Sequence, residues 1–336
     1  MKLRKTMTIL ASLKTEHQTL ASKITSNGTK NPTAVVVGAT NGIGKGCAKT
    51  LASYGYNVIA VGRNKPGRSE SLLKELRDAG GGPHEFRTCD CFSLKEVKEC
   101  ASSITADYGA KGGIDALVMT QGMATIQGFT PTKEGNDEKL TLHVWSRAAF
   151  AGLLLPSLLA SSSSTSRPVV LSVLSGGIHS TYTKYATDPE LKSNYSIKNA
   201  ADGAGYYNDL FFDKLSILSN TKNDSKVHFV HAAPGFVNSN WGTEMPFLLR
   251  GMIRCLQPLG KSTMECAEYM MDPILRGNAG DDLKMKPATD GDNGIYIMKE
   301  DSTGGKVTKD HTEDAMSSVW KTTCEVLKRA GIDLNV

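Results

Sequence analysis

The 336-residue chain has no Cys-x-x-Cys pair, no run of five or more basic residues and no stretch of eighteen consecutive apolar residues. Each absence closes a class of function. Seven cysteines form an odd set without finger-like spacing, so neither a disulfide framework nor a zinc module is expected. Cys89 and Cys91 would share one face of a strand, but no His or Cys partner follows at ligand spacing. They read as reduced core residues, with no metal. A net charge of +5 without a basic block argues against a nucleic-acid partner. Without a long apolar run, no membrane span is expected. Reduced cysteines point to the cytoplasm.

The hydrophobic fraction of 40% supplies one large core, which predicts a single domain over 32–336 with an extension at 1–31. In that extension Lys2, Arg4, Lys5 and Lys14 stand against one acid, Glu16, among many Ser and Thr. The composition suits an organelle transit segment and equally a surface helix packed on the domain; the helix is the expectation.

From Asn31 onward, short β-branched runs alternate with longer helical stretches, the pattern of βαβ units and a parallel sheet. Strands are expected at Thr33–Val37, Asn57–Val61, Glu85–Thr88, Asp115–Met119, Val169–Leu174 and Lys226–His231, with Gly294–Met298 as a candidate seventh. Strands that are apolar throughout, rather than alternating, suit a sheet covered on both faces. A long helix is expected over Asp137–Leu159, and a surface loop over Gly277–Gly294. The fold class is therefore α/β, a doubly wound parallel sheet of Rossmann type.

The segment Val36-Val37-Gly38-Ala39-Thr40-Asn41-Gly42-Ile43-Gly44 follows the first strand and opens a helix. Gly38 permits a tight turn, and Gly42 and Gly44 let backbone amides approach a pyrophosphate. Thr40, Asn41 and Ile43 complete the turn. Glycines alone are weak, but a strand before and a helix after make the signature specific. An NAD enzyme would end its second strand with an acid for the ribose hydroxyl. Here that strand ends in Gly62-Arg63-Asn64, and Arg63 can fork onto a 2′-phosphate. NADP is the expected cofactor, ahead of NAD. A methyltransferase with a similar glycine turn would want the acid too, and Arg63 argues against it.

The spacing Gly38-xxx-Gly42-x-Gly44 resembles that of the short-chain dehydrogenase/reductase family. Asp90 ends the third strand, where the family holds the adenine amino group. Thr120-Gln121-Gly122 ends the fourth, in place of Asn-Ala-Gly. Pro234-Gly235-Phe236-Val237 follows the sixth and resembles the family's Pro-Gly segment beside the nicotinamide, with Ser239 for its Thr. Thr132-Lys133-Glu134-Gly135, Asp137-Glu138-Lys139-Leu140 and Ser146-Arg147 are similar to a divergent fungal subfamily. The ending Ala315–Lys321 resembles the closing helix of that subfamily and of retinol-dehydrogenase-like members.

The resemblance implies a Ser that polarises the substrate carbonyl, a Tyr that exchanges the proton, and a Lys four residues later that lowers the Tyr pKa. None of the ten tyrosines has Lys at that spacing. By position the serine is Ser175, with Ser172 as the alternative or a plain turn role for Ser175. Tyr206 fits the tyrosine best, 28 residues before Pro234, and leaves Leu210 at the Lys position. Tyr207 and Tyr195 are the alternatives. Lys214 lies two turns beyond Tyr206, too far to serve it. His143 stands where relatives carry an Asn, or is an ordinary helix histidine. Two functions remain open: an NADP-dependent oxidoreductase acting on a small carbonyl or alcohol, and a dinucleotide-binding sensor or scaffold without catalysis. The resemblance also implies a homo-oligomer. An apolar stretch, Trp241–Leu259, is a candidate lid.

Overall fold

Valine, isoleucine and leucine runs between glycine turns form the strands of a computed structural model that describes residues 2–27, 30–163, 165–222, 226–239, 242, 245–289, 291 and 293–334. The candidate lid residue Trp241 lies outside the described residues. In chain order the elements are α1 (Lys2–Asn27), β1 (Thr33–Val37), α2 (Gly42–Ser53), β2 (Asn57–Gly62), α3 (Arg68–Ala79), β3 (Glu85–Thr88), α4 (Leu94–Tyr108) and β4 (Ala116–Met119). Then come α5 (Glu138–Leu140), α6 (Ser146–Ser161), β5 (Val169–Val173), α7 (Ile197–Lys222), β6 (His228–Ala232) and β7 (Val237–Asn238). The chain closes with α8 (Phe247–Leu256), β8 (Lys261–Ser262), α9 (Thr263–Ala279), β9 (Tyr296–Met298) and α10 (Glu313–Arg329).

Seven strands pair in the order β3-β2-β1-β4-β5-β6-β9, and every pairing is parallel. β1, β4, β5 and β6 are buried along their whole length. That is why they lack alternation: α1, α2, α3 and α9 pack over one face, and α4, α6, α7 and α10 over the other. The doubly wound Rossmann-type expectation agrees with this sheet. The chain winds one way from β1 to β3 and the other way from β4, so the switch point lies between β1 and β4. A crevice opens there at the strands' C-terminal ends.

Several expected boundaries change, among them the sixth strand, which runs His228–Ala232 where Lys226–His231 was expected. The helix over Asp137–Leu159 is broken: α5 leads into a π-helical turn, Thr141–Trp145, and then α6. Asp137 caps its start, accepting from the Lys139 and Leu140 amides at 3.0 and 3.1 Å. The loop expected from Gly277 begins only after α9 ends at Ala279, with Gly280 at φ 71°. The last strand is shorter than expected, Tyr296–Met298.

α1 lies against α9 through Leu13, Leu20, Ala21 and Ile24. His17 is fully buried between Glu268 and Asp272, at 2.6 and 3.1 Å. The helical stretch Glu138–Ser161, its π-helical turn included, is long and apolar enough by composition to cross a membrane, yet 67% of its most apolar 18-residue window is buried inside the protein. It serves as a core helix of this fold.

Candidate active site

Three glycines shape the turn after β1, each differently. Gly38 sits at φ 83°, where its amide donates to the Val61 carbonyl at 2.9 Å. A Cβ on Gly44 would stand 2.3 Å from the Gly38 carbonyl oxygen and from Thr120 Oγ1, so this position must be glycine for α2 to seat on the turn. Gly42, at φ 54°, has no atom nearer to its missing Cβ than the Ser239 Cβ at 3.7 Å. Gly38 and Gly44 make the shape, and Gly42 leaves the opening.

The opening belongs to a cavity of about 720 Å³ that runs along the switch point. Gly38, Thr40, Asn41, Gly42, Ile43 and Gly44 line its middle, with Arg63, Arg68 and Asp90 at one end. Gln121, Gly122, Pro234 and Leu174 lead to the other end, where His143 and Arg147 stand. Arg63 is exposed, its guanidinium 5.9 Å from the centre of the Phe92 ring. Asp90 keeps one carboxylate oxygen on the Phe92 amide at 3.2 Å.

Two residues expected beside these do not line the cavity. Asn64 turns back to accept from the Ser69 hydroxyl at 3.3 Å. Gly235, at φ 71°, faces the Glu300 carboxylate.

A glycine-lined channel fits a dinucleotide. A side chain at Gly42 would enter the open channel beside the N-terminus of α2. The buried Gln121 Oε1 has no partner among the described residues. No carboxylate stands at the end of β2 to repel a 2′-phosphate.

At the far end the π-helical turn brings His143 to the cavity. Its Nε2 accepts the Met123 amide at 3.1 Å, so the ring proton sits on Nδ1. Burial, and then Arg147 and Lys139, push its pKa down to about 3, which keeps the ring neutral. Arg147, one turn later, is 1% exposed. Its Nη1 donates to Ser172 Oγ at 2.6 Å and to the Val173 carbonyl at 3.0 Å, and its Nη2 to the Gln121 carbonyl at 2.7 Å. Asn208 joins this network, accepting from Ser172 Oγ at 2.8 Å and donating to the His143 carbonyl at 2.7 Å.

The expected catalytic pair is not brought to the cavity. Tyr206 is buried, and its hydroxyl donates to the Asp310 carbonyl at 2.6 Å, away from the crevice. Burial pushes its phenol pKa well up. Tyr207 donates to the Pro189 carbonyl at 2.9 Å, and Leu210 is core. The reason is azimuth: on α7 each residue turns by about 100°, so one position decides which side a tyrosine faces. Ser175 follows β5 as expected, but its Oγ is buried without a partner among the described residues and turned toward α7. There a Cβ on Gly205 would lie 2.5 Å from it.

Behind Ser175 lies a buried cluster. His231 Nε2 accepts the Ser175 amide at 3.2 Å, and Asp209 stands 2.5 Å from His231 and 3.2 Å from His179. Burial alone would raise the Asp209 pKa, but the two imidazoles outweigh it and hold the carboxyl low. Tyr195 accepts from Lys139 Nζ at 3.0 Å outside the cavity lining. Lys214 pairs with Glu313 at 2.5 Å.

Sequence reasoning passed over Arg68 and Arg147 as site residues. For Arg147 a signal existed: it is the lone charge on the otherwise apolar α6.

A family model described as short chain dehydrogenase matches residues 32–163. Oxidoreductase AN1596 of Emericella nidulans is 32% identical over 69% of this chain and 65% of its own length. Oxidoreductase andH of Emericella variicolor is 31% identical over 66% of this chain, which spans 61% of that protein. Short-chain dehydrogenase/reductase SAT2 of Stachybotrys chartarum is 27% identical, over 70% of this chain and 69% of its own. This chain thus spans less than two thirds of the first two. Among solved structures, an uncharacterized Mycobacterium paratuberculosis protein superposes with a TM-score of 0.62 at 17% identity, covering 92% of this chain and 98% of that one. A chicken fatty liver carbonyl reductase with NADPH bound gives 0.57 at 14% identity, covering 82% and 99%.

Proposed function

The chain belongs to the short-chain dehydrogenase/reductase family, and we propose that it is an NADP-dependent oxidoreductase acting on a small carbonyl or alcohol. The observation that carries the proposal is one continuous cavity, with a glycine turn at its middle, two arginines at one end and a polar, buried pair at the other. When bound, the nicotinamide would supply or accept the hydride. Gly38, Thr40, Asn41, Gly42, Ile43 and Gly44 would hold the pyrophosphate by backbone amides and the start of α2. Arg63 and Arg68 would hold the 2′-phosphate, Asp90 the adenine, and Gln121, Gly122 and Pro234 the nicotinamide half. His143, neutral, would offer its Nδ1–H to the reacting oxygen. The NADPH found with the chicken carbonyl reductase supports the cofactor class.

One observation favours a second reading, a dinucleotide-binding protein without turnover: no tyrosine lines the cavity among the described residues. The test is to titrate NADPH and then follow its oxidation against a panel of ketones and aldehydes. Binding with turnover supports the oxidoreductase. Tight binding with no turnover on any carbonyl, or on any alcohol in the reverse direction, supports the second reading.

A further inference from the structure

Arg147 is a buried cation without a buried anion. Five N–H groups radiate from its guanidinium, and three are bound: to a hydroxyl and to two carbonyls, all neutral acceptors. Among the described residues its Nε–H has no partner and no carboxylate pairs with it. The titratable groups around it are His143 on its own helical stretch, His231 on β6 and Cys91 after β3. The two histidines are held toward their neutral forms. Burial pushes the guanidinium down to about 9, so it remains charged at neutral pH. A desolvated charge with only neutral partners is costly, and such a charge persists where a bound group needs its field.

No lysine of α7 lines the cavity among the described residues. Asn208, on α7, is tied through Ser172 to Arg147 itself. We infer that Arg147, from α6, supplies the fixed positive charge at the reacting end of the cavity that the missing α7 lysine would have supplied. The inference rests on the oxidoreductase reading. As a C–H bond forms at the carbonyl carbon with a hydride whose C–H bond to the reduced nicotinamide would break, the π pair moves to oxygen, and that oxygen takes its proton from solvent water, leaving hydroxide. A neighbouring guanidinium stabilises the negative oxygen before the proton arrives. In reverse, it lowers the pKa of the bound alcohol. Arg147 acts here as a positioning residue, through its field.

The test compares Arg147→Gln and Arg147→Met, which remove the charge, with Arg147→Lys, which keeps it. Binding is read first, by calorimetric titration of NADP⁺ and NADPH. The oxidised nicotinamide is itself positive and is repelled by Arg147. Loss of charge should therefore lower the ratio of NADP⁺ to NADPH dissociation constants by about fivefold or more, while Arg147→Lys stays near the wild-type ratio. The alkaline rise of alcohol oxidation should move up by about one pH unit in the neutral variants and return with Lys. Arg147→Met should fold at least as well as Arg147→Gln, since it buries no polar group. An unchanged ratio and profile in a folded neutral variant, with only thermal stability altered, would make Arg147 a structural cross-link and overturn the inference. Failure of the wild-type protein to bind either nucleotide would overturn the cofactor reading instead, and this inference with it.

Discussion

Replacing His17 by alanine tests whether α1 is held by a buried charge cluster. The ring is fully buried, with Nδ1 2.6 Å from Glu268 and Nε2 3.1 Å from Asp272. Both nitrogens face carboxylates, so the clamped form is the imidazolium. Burial works against that charge, but Asp272 and Glu268 outweigh it and raise the His17 pKa above its usual 6.5. Removing one member of a buried pair costs about 3–5 kcal/mol because the partner charge is left behind. Here Tyr54 still donates to Glu268 at 2.5 Å, and Lys284 stands 3.1 Å from Asp272. The lower end, about 3 kcal/mol, is therefore expected. For a chain of this length that is a fall of roughly 4 °C in melting temperature. The pH dependence has a definite sign. A raised folded-state pKa makes the contribution complete below 6.5 and removes it as pH climbs through the folded value. Thermal scans of wild type and His17→Ala at pH 6 and pH 9 should give a gap that narrows at pH 9 (roughly, by the linkage rule). Hydrogen exchange should place the loss in α1 and the facing turns of α9. Equal melting temperatures, or a gap that ignores pH, would refute the clamp.

Tyr206→Phe should leave kcat and KM within about twofold, because its hydroxyl serves the Asp310 carbonyl and not the cavity; the expected cost is about 1–2 kcal/mol of stability. Loss of turnover in a folded Tyr206→Phe protein would restore that tyrosine to the reaction. Gly42→Val should abolish NADPH binding while the fold survives with a strain of about 1–2 kcal/mol, since its Cβ meets nothing nearer than 3.7 Å. Wild-type affinity in that variant would show that the pyrophosphate does not bind at the turn.

What could be read in the sequence was whatever depends on period and composition. Val35–Val37, Ile59–Val61 and Val169–Leu171 are continuous apolar runs, and continuous runs mean strands buried on both faces. The glycine turn was legible because its demands are partly local: Gly38 turns at φ 83°, and Gly44 seats against the Gly38 carbonyl six residues earlier. The catalytic half depends on azimuth and on long-range packing, which spacing does not encode. Counting back from Pro234 placed Tyr206 on the right helix, but one residue of rotation turns its hydroxyl to Asp310. His143 and Arg147 reach the cavity because a π-helical turn interrupts an otherwise regular stretch. Nothing in Thr141–Trp145 announces that extra residue. The docking of α1 rests on His17 meeting Glu268 and Asp272, some 250 residues away, a pairing no local pattern contains.

The central claim is that the cavity at the β1–β4 switch point takes NADP, with its 2′-phosphate held at the arginine end. Calorimetric titration of NADPH and NADH into the wild-type protein and into Arg63→Ala tests it most directly. One charge-assisted contact to phosphate contributes about 1.5–3 kcal/mol, or roughly ten- to a hundred-fold in affinity. The account predicts NADPH bound tighter than NADH by about that factor, and most of the preference lost in Arg63→Ala while NADH affinity is unchanged. Equal affinity for the two nucleotides in the wild type, or a preference that survives in Arg63→Ala, would contradict it.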